Sequence, residues 1–194
     1  MTTLLIIRHA MTAWNAERRV QGSVDQPLSD VGRAQASSWR LPPVAAGRRW
    51  VASPKVRAWE TARLLGLTPE PEPRIVETSW GDWEGRQLDE MRACGDMTAE
   101  IEAMGLDFRP PNGESPRDVQ DRLRPWLADL ATDGRPTGAV AHNGVLRAVY
   151  ALATGWDMLG EPRHKLRNAC AHLFALAPDG TPSVVEVNIR LDVS

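Results

Sequence analysis

The stretch Leu4-Leu5-Ile6-Ile7-Arg8-His9-Ala10-Met11-Thr12-Ala13-Trp14-Asn15 passes from four aliphatic residues directly into a cation and an imidazole. Four consecutive aliphatics read as a short strand buried on both faces, as in the middle of a parallel sheet. Placing Arg8 and His9 at its end costs desolvation energy unless a charged group meets them. Small and polar residues follow (Ala10, Thr12, Asn15), suited to a loop that wraps a ligand. In open α/β sheets ligands bind at the carboxyl ends of strands, so an anion site on the first strand is one reading. A strand end whose Arg8 and His9 reach water is the other, and this stretch alone does not choose between them.

Working outward, the same arrangement recurs. Gly138-Ala139-Val140-Ala141 reads as a buried strand that ends at His142, and Asn143-Gly144 then opens a helix running to Thr154. Trp50-Val51-Ala52 reads as another strand, followed by Ser53-Pro54 as a helix cap with proline at the first helical position. Arg57 falls in the first turn of that helix. Helical side chains lean toward the N-terminus, which aims Arg57 at the sheet edge holding His9. Two His, two Arg and a helix start with free N–H groups at one edge describe a phosphate pocket.

The other segments are read more coarsely. Ser29 caps a helix with a face of Val31, Ala34, Ser38 and Leu41. Arg74-Ile75-Val76 reads as a strand ending at Glu77. Residues 87–104 carry Leu88, Met91, Met97, Ile101 and Met104 at helical steps, a stripe taken as core. Ser115-Pro116 with Asp118 is a capping box before Val119, Leu123, Trp126, Leu127 and Leu130. Ala169–Ala177 and Ser183–Leu191 flank a turn and form a hairpin at the sheet edge.

The totals narrow the classes. A chain of 194 residues fits one domain. A net charge of −2 with scattered arginines argues against nucleic acid as a partner. Cys94 and Cys170, the two cysteines, make neither a disulfide framework nor a zinc motif and read as buried thiols. No apolar stretch approaches the ~20 residues that span a bilayer, and the N-terminal apolar run stops at Arg8, unlike a signal peptide. A cytoplasmic protein with no membrane partner is expected.

The chain closely resembles the histidine phosphatase, or phosphoglycerate mutase-like, superfamily. The resemblance is carried by Arg8-His9-Ala10-x-Thr12-x-x-Asn15, by Pro27-Leu28-Ser29 with Gly32 and Gln35-Ala36, and by Ser53-Pro54-x-x-Arg57-Ala58-x-x-Thr61-Ala62. Glu77 with Gly81, Trp83, Glu84 and Gly85, then Asn112-Gly113-Glu114-Ser115, then Ala141-His142-Asn143-Gly144 complete it in the family's order. The fold implied is a three-layer α/β/α sandwich with a mostly parallel central sheet. It is one domain over 1–194, with Arg86 to Leu123 as a partial lid.

The resemblance also implies roles. His9 is the nucleophile and forms a phosphohistidine. Arg8, Arg57 and His142 hold the phosphoryl oxygens, with the Asn15 amide. Gln21 and Gly22 fall where the family's loop touches substrate, and Asn143 follows His142 as a further substrate contact. Glu77 donates a proton to the leaving oxygen; Glu84 is the rival acid, but the four-residue step from Glu77 to Gly81 matches the family. The chemistry suits these types, since phosphoryl transfer is catalysed mostly by positioning and cations. His9 must be neutral to attack, and the arginines beside it lower its pKa. His9, His142 and Glu77 are zinc-ligand types, but flanking arginines repel a metal, so neither metal nor cofactor is expected. The expected activity is hydrolysis of a small phosphorylated metabolite. The Trp-rich stretch after Glu77 and Asn112-Gly113-Glu114 resemble the α-ribazole phosphatase branch. Mutase-type phosphoryl transfer and a non-catalytic phosphate-binding module are the alternatives. Ala10 and Met11 depart from the family pattern, as does Asn143-Gly144 after His142, which touches substrate preference rather than catalytic side chains.

Overall fold

Leu4–Ile7 form the core of a central strand, β1 (Thr2–Arg8), and all four side chains are fully buried. Their alternation divides the core in two. Leu4 and Ile6 pack into one apolar cluster, Leu5 and Ile7 into another on the opposite face, as the two-residue period of a strand requires. Each such side chain contributes about 1.5–3 kcal/mol on burial. The structure is a computed structural model and describes residues 2–97 and 103–191.

Among those residues the sheet has six strands. They are β1, β2 (Arg49–Ala52), β3 (Glu70–Pro71), β4 (Thr137–Ala141), β5 (Cys170–Leu176) and β6 (Pro182–Arg190), in the order β3-β2-β4-β1-β5-β6. The first four in that order are parallel. β5 and β6 are the expected antiparallel edge hairpin. The helices are α1 (Ala13–Ala16), α2 (Asp30–Ser38), α3 (Val56–Leu64), α4 (Leu88–Ala93), α5 (Pro116–Asp133) and α6 (Asn143–Thr154). Val119, Leu123 and Trp126 of α5 and Val145 and Val149 of α6 join the Leu4–Ile6 face. Ala36 of α2 joins the Leu5–Ile7 face, and Ala58 and Ala62 of α3 pack on Ala52 and Val140. The result is the three-layer α/β/α sandwich with a mostly parallel sheet.

Several local expectations are corrected. Arg74–Val76 is not a strand: Pro73–Ile75 is a 3-10 turn, because Pro73 lacks an N–H and the Glu72 side chain accepts from Arg74 N at 3.0 Å. The strand in this region is the short β3. The buried face of α2 is Gly32 and Ala36, while Val31 is 66% exposed. α3 is capped at Lys55, not Ser53. The stripe through 87–104 is only partly core: Met91 and Met97 are buried, but Met104 is 49% exposed and α4 stops at Ala93; Ile101 lies outside the described residues. Cys170 is buried as expected, but Cys94 is exposed. The Ser115–Asp118 capping box is present and contributes about 1 kcal/mol.

Candidate active site

Three adjacent parallel strands, β2, β4 and β1, end at one edge, and the ladder carries one residue past each end. His9 N donates to Ala141 O at 2.9 Å and Ser53 N to Val140 O at 3.0 Å. His142, following the middle strand, is therefore held between Ser53 and His9. Its ring centroid lies 5.2 Å from that of His9, at 61° between planes. Its Nε2 meets Ser53 Oγ at 2.8 Å. Both rings are buried, His9 with 5% of its surface exposed and His142 with none.

Hydrogen bonding assigns the His9 tautomer. His9 Nδ1 lies 2.7 Å from Ala10 O, an acceptor only, so Nδ1 carries the proton and Nε2 keeps its lone pair. Ser53 Oγ accepts from Lys55 N at 3.3 Å and keeps a proton that it can give to His142 Nε2, the arrangement in which His142 Nδ1 is a donor. That Nδ1 is buried with no protein partner. Both imidazoles are held neutral, their pKa values far below the usual range. For His9 burial is the largest cause, followed by Arg8 and then Arg57, so the arginines lower its pKa as expected. For His142 burial again comes first, then His9 and the arginines.

Arg8 ends β1 and donates through Nη1 to Asn168 Oδ1 at 2.6 Å. Arg57, in the first turn of α3, is fully buried and spends its fork on the 22–24 loop: Nη1 donates to Val24 O at 2.9 Å and Nη2 to Gly22 O at 2.8 Å. The Nε–H groups of both arginines are buried without partners. Buried donors left unpaired are rare and call for a ligand. Here two guanidinium Nε–H groups and one imidazole nitrogen share that condition at one sheet edge. Burial lowers the pKa of both arginines, and the charge of Glu77 partly opposes it.

Glu77 reaches the same edge from the loop after the 3-10 turn. Its Oε1 accepts from Thr78 N and from Gly144 N in the first turn of α6, both at 2.9 Å. Glu84 is placed differently. It accepts from Ser23 N, Val24 N and Trp80 N at 2.7–3.1 Å and clasps the loop that carries Gln21 and Gly22. Gly22 has φ +54°, and a Cβ there would lie 2.1 Å from Glu84 Oε1. Asn15 Oδ1 completes a capping box with Thr12.

These residues border a chamber of about 370 Å³ lined by Arg8, His9, Asn15, Gln21, Gly22, Glu77 and Asn143. Arg57 and His142 are fully buried and are not among the residues that line it. A second chamber of about 430 Å³ shares Glu77, Trp80 and Asn143 with the first and adds the apolar side chains of Met97 and Phe108. Among the described residues no cluster of His, Cys, Asp or Glu can hold a metal ion, and no helix is long and apolar enough to cross a membrane.

The family described as "Histidine phosphatase superfamily (branch 1)" matches residues 4–190. This chain belongs to the histidine phosphatase superfamily. Among its relatives, the glucosyl-3-phosphoglycerate phosphatase of Mycolicibacterium vanbaalenii is 34% identical over 214 aligned positions, covering 98% of this chain and 92% of the relative. The probable phosphoglycerate mutase GpmB of Cronobacter sakazakii is 32% identical over 177 positions, covering 87% and 82%. The complex of a mycobacterial glucosyl-3-phosphoglycerate phosphatase with inorganic phosphate superposes with a TM-score of 0.80 at 27% identity over all of both chains. The superfamily fold and phosphomonoesterase activity expected from the motifs agree with these relatives.

Three residues at this histidine phosphatase site escaped sequence reading. Ser53 looks like a helix cap, yet its hydroxyl serves His142 across 89 residues of chain. Asn168, in the turn before β5, has no motif around it. Thr61, quoted only as part of a motif, accepts from Ala10 N at 3.0 Å and steadies the chain beyond His9.

Proposed function

We propose that the protein hydrolyses a small phosphomonoester through a phosphohistidine on His9. The observation that supports this most directly is the free Nε2 of a neutral His9 beside the unpaired N–H groups of Arg8, Arg57 and His142. His9 Nε2 attacks phosphorus, the bond from phosphorus to the ester oxygen breaks, and Glu77 gives that oxygen its proton. Water then attacks the phosphohistidine and returns a proton to Glu77, leaving inorganic phosphate and free His9. The three N–H groups stabilise charge on the equatorial oxygens, each charge-assisted bond contributing about 1.5–3 kcal/mol. Asn15, Gln21, Gly22 and Asn143 line the chamber that takes the phosphoryl group and the first atoms of the substrate.

The rest of the substrate occupies the second chamber. Leu88, Met97 and Phe108, from the 86–123 segment, wall it, and that segment acts as a partial lid on a single domain. Glucosyl-3-phosphoglycerate is the first substrate to test, from the names of the relatives; α-ribazole phosphate is the second, from the resemblance of the Trp80 and Asn112 stretches. The relatives named as probable phosphoglycerate mutases favour one further reading, transfer of the phosphoryl group back to a phosphoglycerate. Turnover of an aryl phosphate in chelator by wild type and His9→Ala, then a panel of these esters with and without 2,3-bisphosphoglycerate, tests the proposal. Chelator-resistant hydrolysis lost in His9→Ala is expected. A His9→Ala protein as active as wild type refutes it.

A further inference from the structure

Arg147 lines the second chamber and, among the described residues, forms no ion pair with the carboxylates of Glu77 and Glu114 that line it too. It stands four residues after Asn143 on α6, hence on the same helix face. Its guanidinium carbon lies 4.8 Å from the centroid of Trp156. Trp156 is itself fixed: its Nε1 donates to Leu159 O at 3.0 Å, and its ring packs edge-on to Tyr150 at 6.2 Å. The guanidinium is thus stacked on a platform before any ligand arrives. Arg147 is partly buried, and burial is the one resolved influence on its acidity, opposing the charge.

The other charged groups of the chamber, Glu77, Glu114 and Arg92, have partners of their own; Glu77 accepts from Thr78 N and Gly144 N, both at 2.9 Å. Glu114 accepts from Arg122 Nε at 3.0 Å and from Ser79 N at 2.9 Å. Arg92 pairs with Asp89 at 3.5 Å. Among the described residues, Arg147 has no ion pair. A partly buried cation held in one orientation, in a chamber that also presents the apolar surfaces of Trp80, Met97 and Phe108, gains from a ligand that supplies the anion. One guanidinium matches one carboxylate in charge and in its two parallel hydrogen bonds. A phosphate dianion needs more cations, as the first chamber supplies.

We propose that Arg147, stacked on Trp156, binds a carboxylate of the substrate in the second chamber, one turn of α6 beyond the phosphoryl site. One turn from Asn143 to Arg147 is about 6 Å along the helix axis, which sets the scale of the separation between phosphate and carboxylate. The inference rests on the reading of the first chamber as the phosphoryl site and narrows its substrate to an acidic phosphomonoester.

The test compares kcat/KM for 3-phosphoglycerate and glycerol 3-phosphate, esters that differ in the carboxylate, in wild type, Arg147→Gln and Arg147→Lys. Wild type is expected to prefer 3-phosphoglycerate. Arg147→Gln should reduce the ratio of the two values by about 10- to 100-fold, and Arg147→Lys by less. Equal kcat/KM for the two esters in wild type, or a ratio that Arg147→Gln leaves in place, overturns the inference while hydrolysis of both preserves the phosphatase reading. The wild-type comparison decides even if a variant fails to fold. A wild-type protein that cleaves neither these esters nor an aryl phosphate overturns both.

Discussion

Glu77 Oε1 accepts the Gly144 N–H at 2.9 Å, which fastens the proposed proton donor to the first turn of the helix that His142 caps. The approach is possible because residue 144 has no side chain: a Cβ there would lie 2.1 Å from Thr78 Oγ1 and 2.4 Å from Glu77 Oε1. Gly144→Ala must displace Glu77. It should lower kcat by about 10- to 100-fold, as loss of a positioned acid does. Overpacking should cost ~1–3 kcal/mol of stability. Steady-state kinetics and urea unfolding of the one variant check both.

Arg57 has two tasks at once, holding Gly22 and Val24 through Nη1 and Nη2 and offering Nε–H to the phosphoryl group. Arg57→Ala should lower kcat/KM by about 10²- to 10³-fold. Arg57→Lys should recover little, because a lysine ammonium cannot serve two carbonyls and an oxyanion in the fork geometry. Full recovery by lysine in the same assay would show that charge alone suffices.

Ser53 is a positioning residue, acting through His142 Nε2. Ser53→Ala frees the His142 ring to take the other tautomer, which turns its Nδ1 from donor to acceptor. The expected loss is about 10-fold in kcat with little change in KM, rescued by Ser53→Thr, which keeps the hydroxyl. A purely structural serine would lower stability without that split and without that rescue.

Stability should fall in acid because histidines are buried neutral. His172 on β5 titrates at about 4 in the folded protein, through burial, against an ordinary value near 6.5. Below about pH 6.5 the unfolded chain binds a proton that the folded ring refuses. Stability is therefore complete above that pH and declines as pH falls toward 4, by about 3 kcal/mol for this group. His9 and His142 act in the same direction. Urea unfolding from pH 7 to pH 4 should show the decline, and His172→Leu should flatten it.

Much of this site was legible in the chain because its signals are local. A run of aliphatics ending in Arg8-His9, a second ending in His142 ahead of a helix, and Arg57 leaning back from a first turn each need only one strand or one helix. Their meeting at one edge then follows from a parallel sheet. What escaped depends on partners far away in sequence. Ser53 beside Pro54 has the signature of a cap, but its hydroxyl is drawn to His142. Glu84 reads as a possible acid, and its partners Ser23 and Val24 are some 60 residues away. Arg74-Ile75-Val76 has the composition of a strand, yet Pro73 and the Glu72 carboxylate impose a turn. Arg147 carries no local mark, since its stacking on Trp156 and its lack of an ion pair exist only in three dimensions.

The claim on which the rest depends is that His9 Nε2 takes the phosphoryl group. Rapid quenching into base during turnover of a labelled aryl phosphate, followed by peptide mapping, measures it directly. The account predicts one acid-labile, base-stable phosphoryl group on the peptide containing His9, absent from His9→Ala. Label on any other residue, or sustained turnover by His9→Ala, would contradict it.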